Sequence, residues 1–175
     1  SLVGGVLTYQ LGPELRPSLC SVELPNSVGF TIVYSGRPAA TGDFLAAFGR
    51  WRASRPTEAA ETLSHLQEIA EQGCAAAGEN DAKAFLAAVA AYGKRLEELG
   101  RCMEPEIVTT EHREIAGHSE RFGVAYKVSG AGGGDLGIAM SADLEALAAF
   151  KEAVGASYRV IDLSVATSGL SVEEL

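Results

Sequence analysis

Cysteine, long apolar runs and positive charge are all in short supply. Cys20, Cys74 and Cys102 are odd in number, far apart and without Cys-x-x-Cys spacing, so neither a disulfide framework nor a zinc site is indicated. Such usage fits a reducing compartment, and the expected localisation is cytoplasmic. No apolar run approaches the roughly 20 residues needed to span a bilayer, and the N-terminus lacks the basic and then apolar character of a signal peptide. A soluble protein is expected. With 14 Lys and Arg against 23 Asp and Glu, the formal charge of −9 argues against nucleic acid and anionic membrane surfaces as partners. A phosphorylated small molecule is compatible if a locally basic pocket opposes the global field, which draws attention to Arg37, Arg121 and Lys127, all beside glycines or turns.

Two familiar phosphate motifs are also missing. A dinucleotide fingerprint counted from Gly130 needs glycine where Asp135 stands, and no Gly-Lys-Ser/Thr triplet of a Walker loop occurs. What is present is a concentration of glycine: Gly130, Gly132, Gly133, Gly134 and Gly137 fall within eight residues, between apolar runs at 124–128 and 137–140. This reads as two strands joined by a loop without side chains. Such a loop can adopt positive φ and present consecutive N–H donors, the makings of an anion site; the plainer reading is a flexible hairpin connection.

The stretch from Lys127 through Ser129, Gly130, Ala131, Gly132, Gly133, Gly134 and Asp135 to Met140 resembles the third motif of the GHMP small-molecule kinases. Its Gly-Gly-Gly-Asp ending and short Gly-Ile-Ala strand look like the phosphomevalonate kinase branch; mevalonate kinases more often have glycine in place of Asp135. A second match lies at Ser35-Gly36-Arg37-Pro38-Ala39-Ala40-Thr41, similar to the Thr-Gly-x-Pro-Ala-x-Thr of that branch with Ser35 replacing the first threonine. Taken alone it is a strand end, a glycine turn and a helix cap at Thr41.

Along the chain, residues 1–9, 20–24 and 28–34 read as strands, the last two joined as a hairpin across Pro25-Asn26-Ser27. Phe44, Leu45, Phe48 and Trp51 mark a helix over 42–53. Leu63, Leu66, Ile69, Ala70 and Cys74 mark a second, broken at 78–81, and Phe85, Val89, Tyr92, Leu96 and Leu99 a third, capped at Gly100. These two should run antiparallel. A weak helix ends at Arg121; its His112 and His118 lack the spacing of a helical metal pair. Ser141 caps a helix with Leu144, Leu147, Ala148 and Val154 inward, ending at Gly155, and 158–165 is a last strand. The order gives one α+β domain over residues 1–175 with an antiparallel or mixed sheet, helices on one face and an inserted helical hairpin. The resemblance implies the same, since the C-terminal half of GHMP kinases is an elaborated ferredoxin-like plait.

The resemblance further implies that the chain is the C-terminal, substrate-side half of a kinase, since the Gly-Leu-Gly-Ser-Ser-type loop that wraps ATP phosphates has no counterpart here. ATP and Mg would be held mainly by an N-terminal kinase domain, the half's own partner. The backbone of Ser129, Gly130, Ala131, Gly132, Gly133 and Gly134 would shape the cleft floor, Asp135 would fix the loop or accept from substrate or a metal-bound water, and Lys127 and Arg37 would meet a substrate phosphate. No residue is assigned as a metal ligand or catalytic base. The acceptor implied is 5-phosphomevalonate, with mevalonate or another GHMP substrate as the alternative. From other classes, a non-catalytic module binding an anionic metabolite and a purely structural domain stay open.

Overall fold

The computed structural model describes residues 4–39, 41–103, 106–130 and 132–169. In chain order its elements are β1 (Val6–Leu11), β2 (Pro17–Val22), β3 (Gly29–Tyr34), α1 (Thr41–Ser54), α2 (Pro56–Gly78), α3 (Ala82–Arg101), α4 (Thr110–Arg121), β4 (Ala125–Val128), β5 (Leu136–Ser141), α5 (Leu144–Gly155) and β6 (Arg159–Ile161). This is the order expected from apolar periodicity.

Four strands form one sheet in the order β4-β5-β3-β6, with every neighbouring pair antiparallel. Reading β3, the helical segment, β4, β5, α5 and β6 as β-α-β-β-α-β gives the ferredoxin-like plait, with α1, α2 and α3 inserted before α4. Alternation along the strands puts Thr31, Val33, Tyr126 and Ala139 on one face, where Ile115 of α4 and Leu147, Phe150 and Val154 of α5 close over them. Phe150, Ile115, Val33 and Val154 are fully enclosed, each worth about 1.5–3 kcal/mol relative to exposure. A second core joins Phe44 and Trp51 of α1, Leu66 of α2, Leu99 of α3 and Val128 of β4. The helical pair is antiparallel: His65 of α2 meets Arg95 of α3, and Gly73 lies against Ala88.

Several expectations are corrected. β2 pairs with β1, not β3, in a separate two-stranded sheet. Both edges of β3 are occupied, by β5 and β6, so β2 has no vacant edge there. Pro25-Asn26-Ser27 is a passage between sheets, with Pro25 buried and the Asn26 N–H donating to Asn80 at the α2–α3 turn. Helix α3 runs past Gly100 to Arg101, and Gly100 packs closely on Ile107. Asp143, not Ser141, caps α5, its carboxylate accepting from Glu145 and Ala146. Leu45 and Leu144 face outward. β6 is three residues long rather than eight. Thr41 is the first helical residue of α1, and the position before it, Ala40, lies outside the described residues, as do residues 1–3 and 170–175 of the expected first strand and tail.

The half-buried Ile69 and the exposed Ala70 and Cys74 of α2 line an apolar groove of about 640 Å³ between β1, α2 and α3. The hairpin itself exposes Tyr9, Leu11, Leu15 and Leu19. No helix among the described residues is long and apolar enough to cross a membrane.

Candidate functional site

The two stretches singled out in the sequence meet in space. β4 and β5 are joined by the glycine loop, closed at its base by the Ser129 N–H donating to the Leu136 carbonyl at 2.8 Å. On the far side of β5, the Ser35 N–H donates to the Asp135 carbonyl at 2.8 Å and the Asp135 N–H donates to the Arg37 carbonyl at 2.5 Å. The β3–β5 ladder thus continues past Tyr34 into the 35–37 turn, which the buried Ser35 hydroxyl braces by contacts to the Arg37 N–H and carbonyl at 3.4 Å.

Two glycines are required for the loop to pack here. A Cβ at Gly134, where φ is 131°, would lie 2.8 Å from the Arg37 carbonyl, and one at Gly133, φ 81°, would enter the ring of Phe44. Both positions combine close approach with backbone that L-residues rarely adopt. Asp135 has φ 62°, a conformation that Asp tolerates and that glycine takes freely.

The expected row of donors is only partly available. Ser129 and Asp135 spend their N–H groups on Leu136 and Arg37, and Gly133 donates to the Ile107 carbonyl at 2.7 Å. Among the described residues, no acceptor is recorded for the N–H groups of Gly130, Gly132 and Gly134. The loop is therefore anchored through alternate donors, and of these three glycines Gly132 and Gly134 are buried and Gly130 is exposed. Ala131 lies outside the described residues. Ser129 and Gly130 are exposed where the chain leaves β4, and Asp135 is exposed beside the turn.

Against the loop lies a cleft of about 320 Å³ lined by Gly133, Arg37, Pro38, Asp43, Phe44, Glu106, Thr109 and Thr110. Helices α1 and α4 both begin here, so two positive dipole ends face it. Thr109 caps α4, its hydroxyl accepting from the His112 N–H at 3.5 Å. The Arg37 guanidinium is 61% exposed and lies 3.7 Å from Glu111. The Glu111 carboxyl is held below its ordinary range, first by the Thr109 hydroxyl and then by its own N–H, with Arg37 adding to the effect. Its second oxygen is buried without a partner.

Lys127 is not part of this cleft. Its ammonium donates to the Val128 carbonyl at 3.0 Å and sits 5.8 Å from the centre of the Tyr92 ring on α3. Burial lowers its pKa. Arg121 ends α4, exposed. Among the described residues no three His, Cys, Asp or Glu side chains are grouped to hold a metal ion.

No family model and no curated protein matches the chain. Solved structures do. The Lin0012 protein of Listeria innocua superposes with a TM-score of 0.79 at 24% identity, over 83% of this chain and 41% of that one. L. major mevalonate kinase in complex with R-mevalonate gives 0.76 at 16%, over 93% and 51%. Streptococcus pneumoniae phosphomevalonate kinase in complex with phosphomevalonate and AMPPNP gives 0.71 at 20%, over 85% and 43%. The fold is that of the GHMP-kinase C-terminal domain. The chain spans about half the length of the proteins it matches.

Within this GHMP-kinase fold, sequence reasoning missed one feature of the site. His112 is fully enclosed, with Nδ1 2.6 Å from the Tyr126 hydroxyl and Nε2 3.0 Å from the Gly134 carbonyl. Burial pushes its pKa down and raises that of Tyr126. The sequence signal was slight: a histidine one turn into a helix, considered only for metal binding.

Proposed function

We propose that this chain is the acceptor-side half of an ATP-dependent small-molecule kinase of the GHMP family, with 5-phosphomevalonate as acceptor. The observation that carries this reading is the meeting of the glycine loop and the 35–37 turn at one cleft, in a fold shared with mevalonate and phosphomevalonate kinases. Arg37 would meet an anionic group of the acceptor. The glycine loop, through Gly133 in the cleft wall and the exposed Gly130, and the starts of α1 and α4 would face the transferring phosphoryl, and the Asp135 carboxylate would accept from the acceptor or from a metal-bound water.

Phosphoryl transfer depends on positioning and charge neutralisation. This cleft sets Arg37 against Asp43, Glu106 and Glu111, so most of the neutralising charge, together with ATP and Mg, would come from an N-terminal domain outside this sequence. The same domain would cover the exposed apolar residues of the β1–β2 hairpin, because a two-stranded ribbon is marginal in water by itself. A coupled ADP-release assay with mevalonate, 5-phosphomevalonate and a sugar panel tests the reading on residues 1–175 and on the longer reading frame. Activity only in the longer protein, selective for 5-phosphomevalonate, supports it; turnover of roughly 1 per second or more by the short chain overturns it.

Mevalonate is the second reading for the acceptor. Asp135 at φ 62° stands in a conformation that glycine also takes, so its presence argues only weakly against that branch.

A further inference from the structure

His112 has one polar partner on each ring nitrogen, and the two partners differ in what they can do. The Gly134 carbonyl can only accept, so Nε2 carries the proton. Nδ1 of the neutral ring is then the acceptor, and the Tyr126 hydroxyl donates to it. Burial keeps the ring neutral against Glu111 on its own helix and Asp135 in the loop, which both favour the charged form. Three elements are tied by one side chain: α4 carries His112, β4 carries Tyr126, and the loop carries Gly134. β5 accommodates the arrangement at Gly137, where a Cβ would fall on the Tyr126 phenol.

The Gly134 carbonyl and the Asp135 N–H belong to the same peptide group. One end is held by His112 Nε2, the other donates to the Arg37 carbonyl. A peptide is planar, with its C=O and N–H pointing in opposite directions, so fixing the carbonyl also aims the N–H. We infer that His112 is a positioning residue that clamps the 134–135 peptide and so sets the glycine loop in register with the Arg37 turn. Tyr126 holds the ring in the tautomer that can do this. The significance of the clamp for phosphoryl transfer rests on the kinase reading; the clamp itself does not.

The test uses the 175-residue chain without substrate. In His112→Gln the amide nitrogen can still donate to the Gly134 carbonyl; in His112→Asn a polar group stays near Tyr126 but falls short of the loop. Residue-resolved amide exchange should show the Asp135 amide exchanging about tenfold faster in His112→Asn, the effect of losing one buried hydrogen bond. His112→Gln should restore protection, while the amides of α2 and α3 stay as in the wild type in both. Nitrogen-15 NMR of the wild-type imidazole should place the proton on Nε2. Equal loop protection in the two variants, loosening spread equally over the helices, or a proton on Nδ1 would each overturn the clamp. No turnover enters these readouts, so a failed kinase assay would leave the result standing.

Discussion

The Asp135 N–H donates to the carbonyl of Arg37, so the motif before the helical insertion and the motif after it share one hydrogen-bonded edge. That contact uses Arg37 backbone and leaves its side chain free for the cleft. Arg37→Ala should therefore change the stability of the chain by less than about 1 kcal/mol, since the Arg37 end of its pair with Glu111 is exposed and the contact is long. In the longer protein the same change should raise the acceptor's KM by about tenfold or more, the loss of a charge-assisted bond, and leave that of ATP nearly unaltered. An unchanged acceptor KM would return Arg37 to the solvated surface.

Gly133→Val places a β-branched side chain at φ 81° and against the Phe44 ring. The backbone should cost about 1–2 kcal/mol and the overpacking about 1–3 kcal/mol, read as a lower urea midpoint at constant slope. Adding Phe44→Leu should recover part of the second cost and none of the first. Stability equal to the wild type in Gly133→Val would contradict the loop conformation described.

The pH dependence of stability has a definite sign. Burial holds His112 below its ordinary pKa of 6.5, so the unfolded chain binds this proton at higher pH than the folded one. The stabilisation is complete above about pH 6.5 and is lost as pH falls through the folded-state value. Glu111 and Asp162 are also depressed, but from 4.5 and 3.8, so their losses begin at lower pH. Urea unfolding between about pH 7.5 and 5 should steepen for the wild type relative to His112→Gln. Parallel curves would show that His112 titrates alike in both states.

Lys127→Met separates two roles for that lysine. Its ammonium is turned to the Val128 carbonyl and the Tyr92 ring, so a methionine should fill the space with a stability change within about 1 kcal/mol. The acceptor's KM should not move. A rise matching that of Arg37→Ala would bring Lys127 back as a phosphate contact.

Element order and the two site segments were legible because they are local. Glycine density at 130–137 and the Gly36-Arg37-Pro38 turn are written in adjacent residues, and the stripes on α2 and α3 follow helical spacing. Pairing was less legible. Whether β2 joins β1 or β3 depends on which edges β5 and β6 later occupy, and no stretch near Pro25 encodes that. The donors of the loop were overcounted because the Ile107 carbonyl, which takes one of them, lies on the approach to α4. His112 was missed for the same reason: its partners are 14 and 22 residues away and on different elements. A histidine's meaning is set by what faces each nitrogen, which spacing within its own helix does not reveal.

The position of β3 between β5 and β6 also governs how the protein assembles. Gly29 pairs with Ser141 and Tyr34 with Arg159, so the central strand waits for partners made more than a hundred residues later on the ribosome. Helices α2 and α3, built from local contacts, can form well before that, whereas the cleft closes only once β5 has joined β3. Until residue 161 has emerged, β3 has one or both edges open, the state in which pairing with a neighbouring chain competes with its own completion.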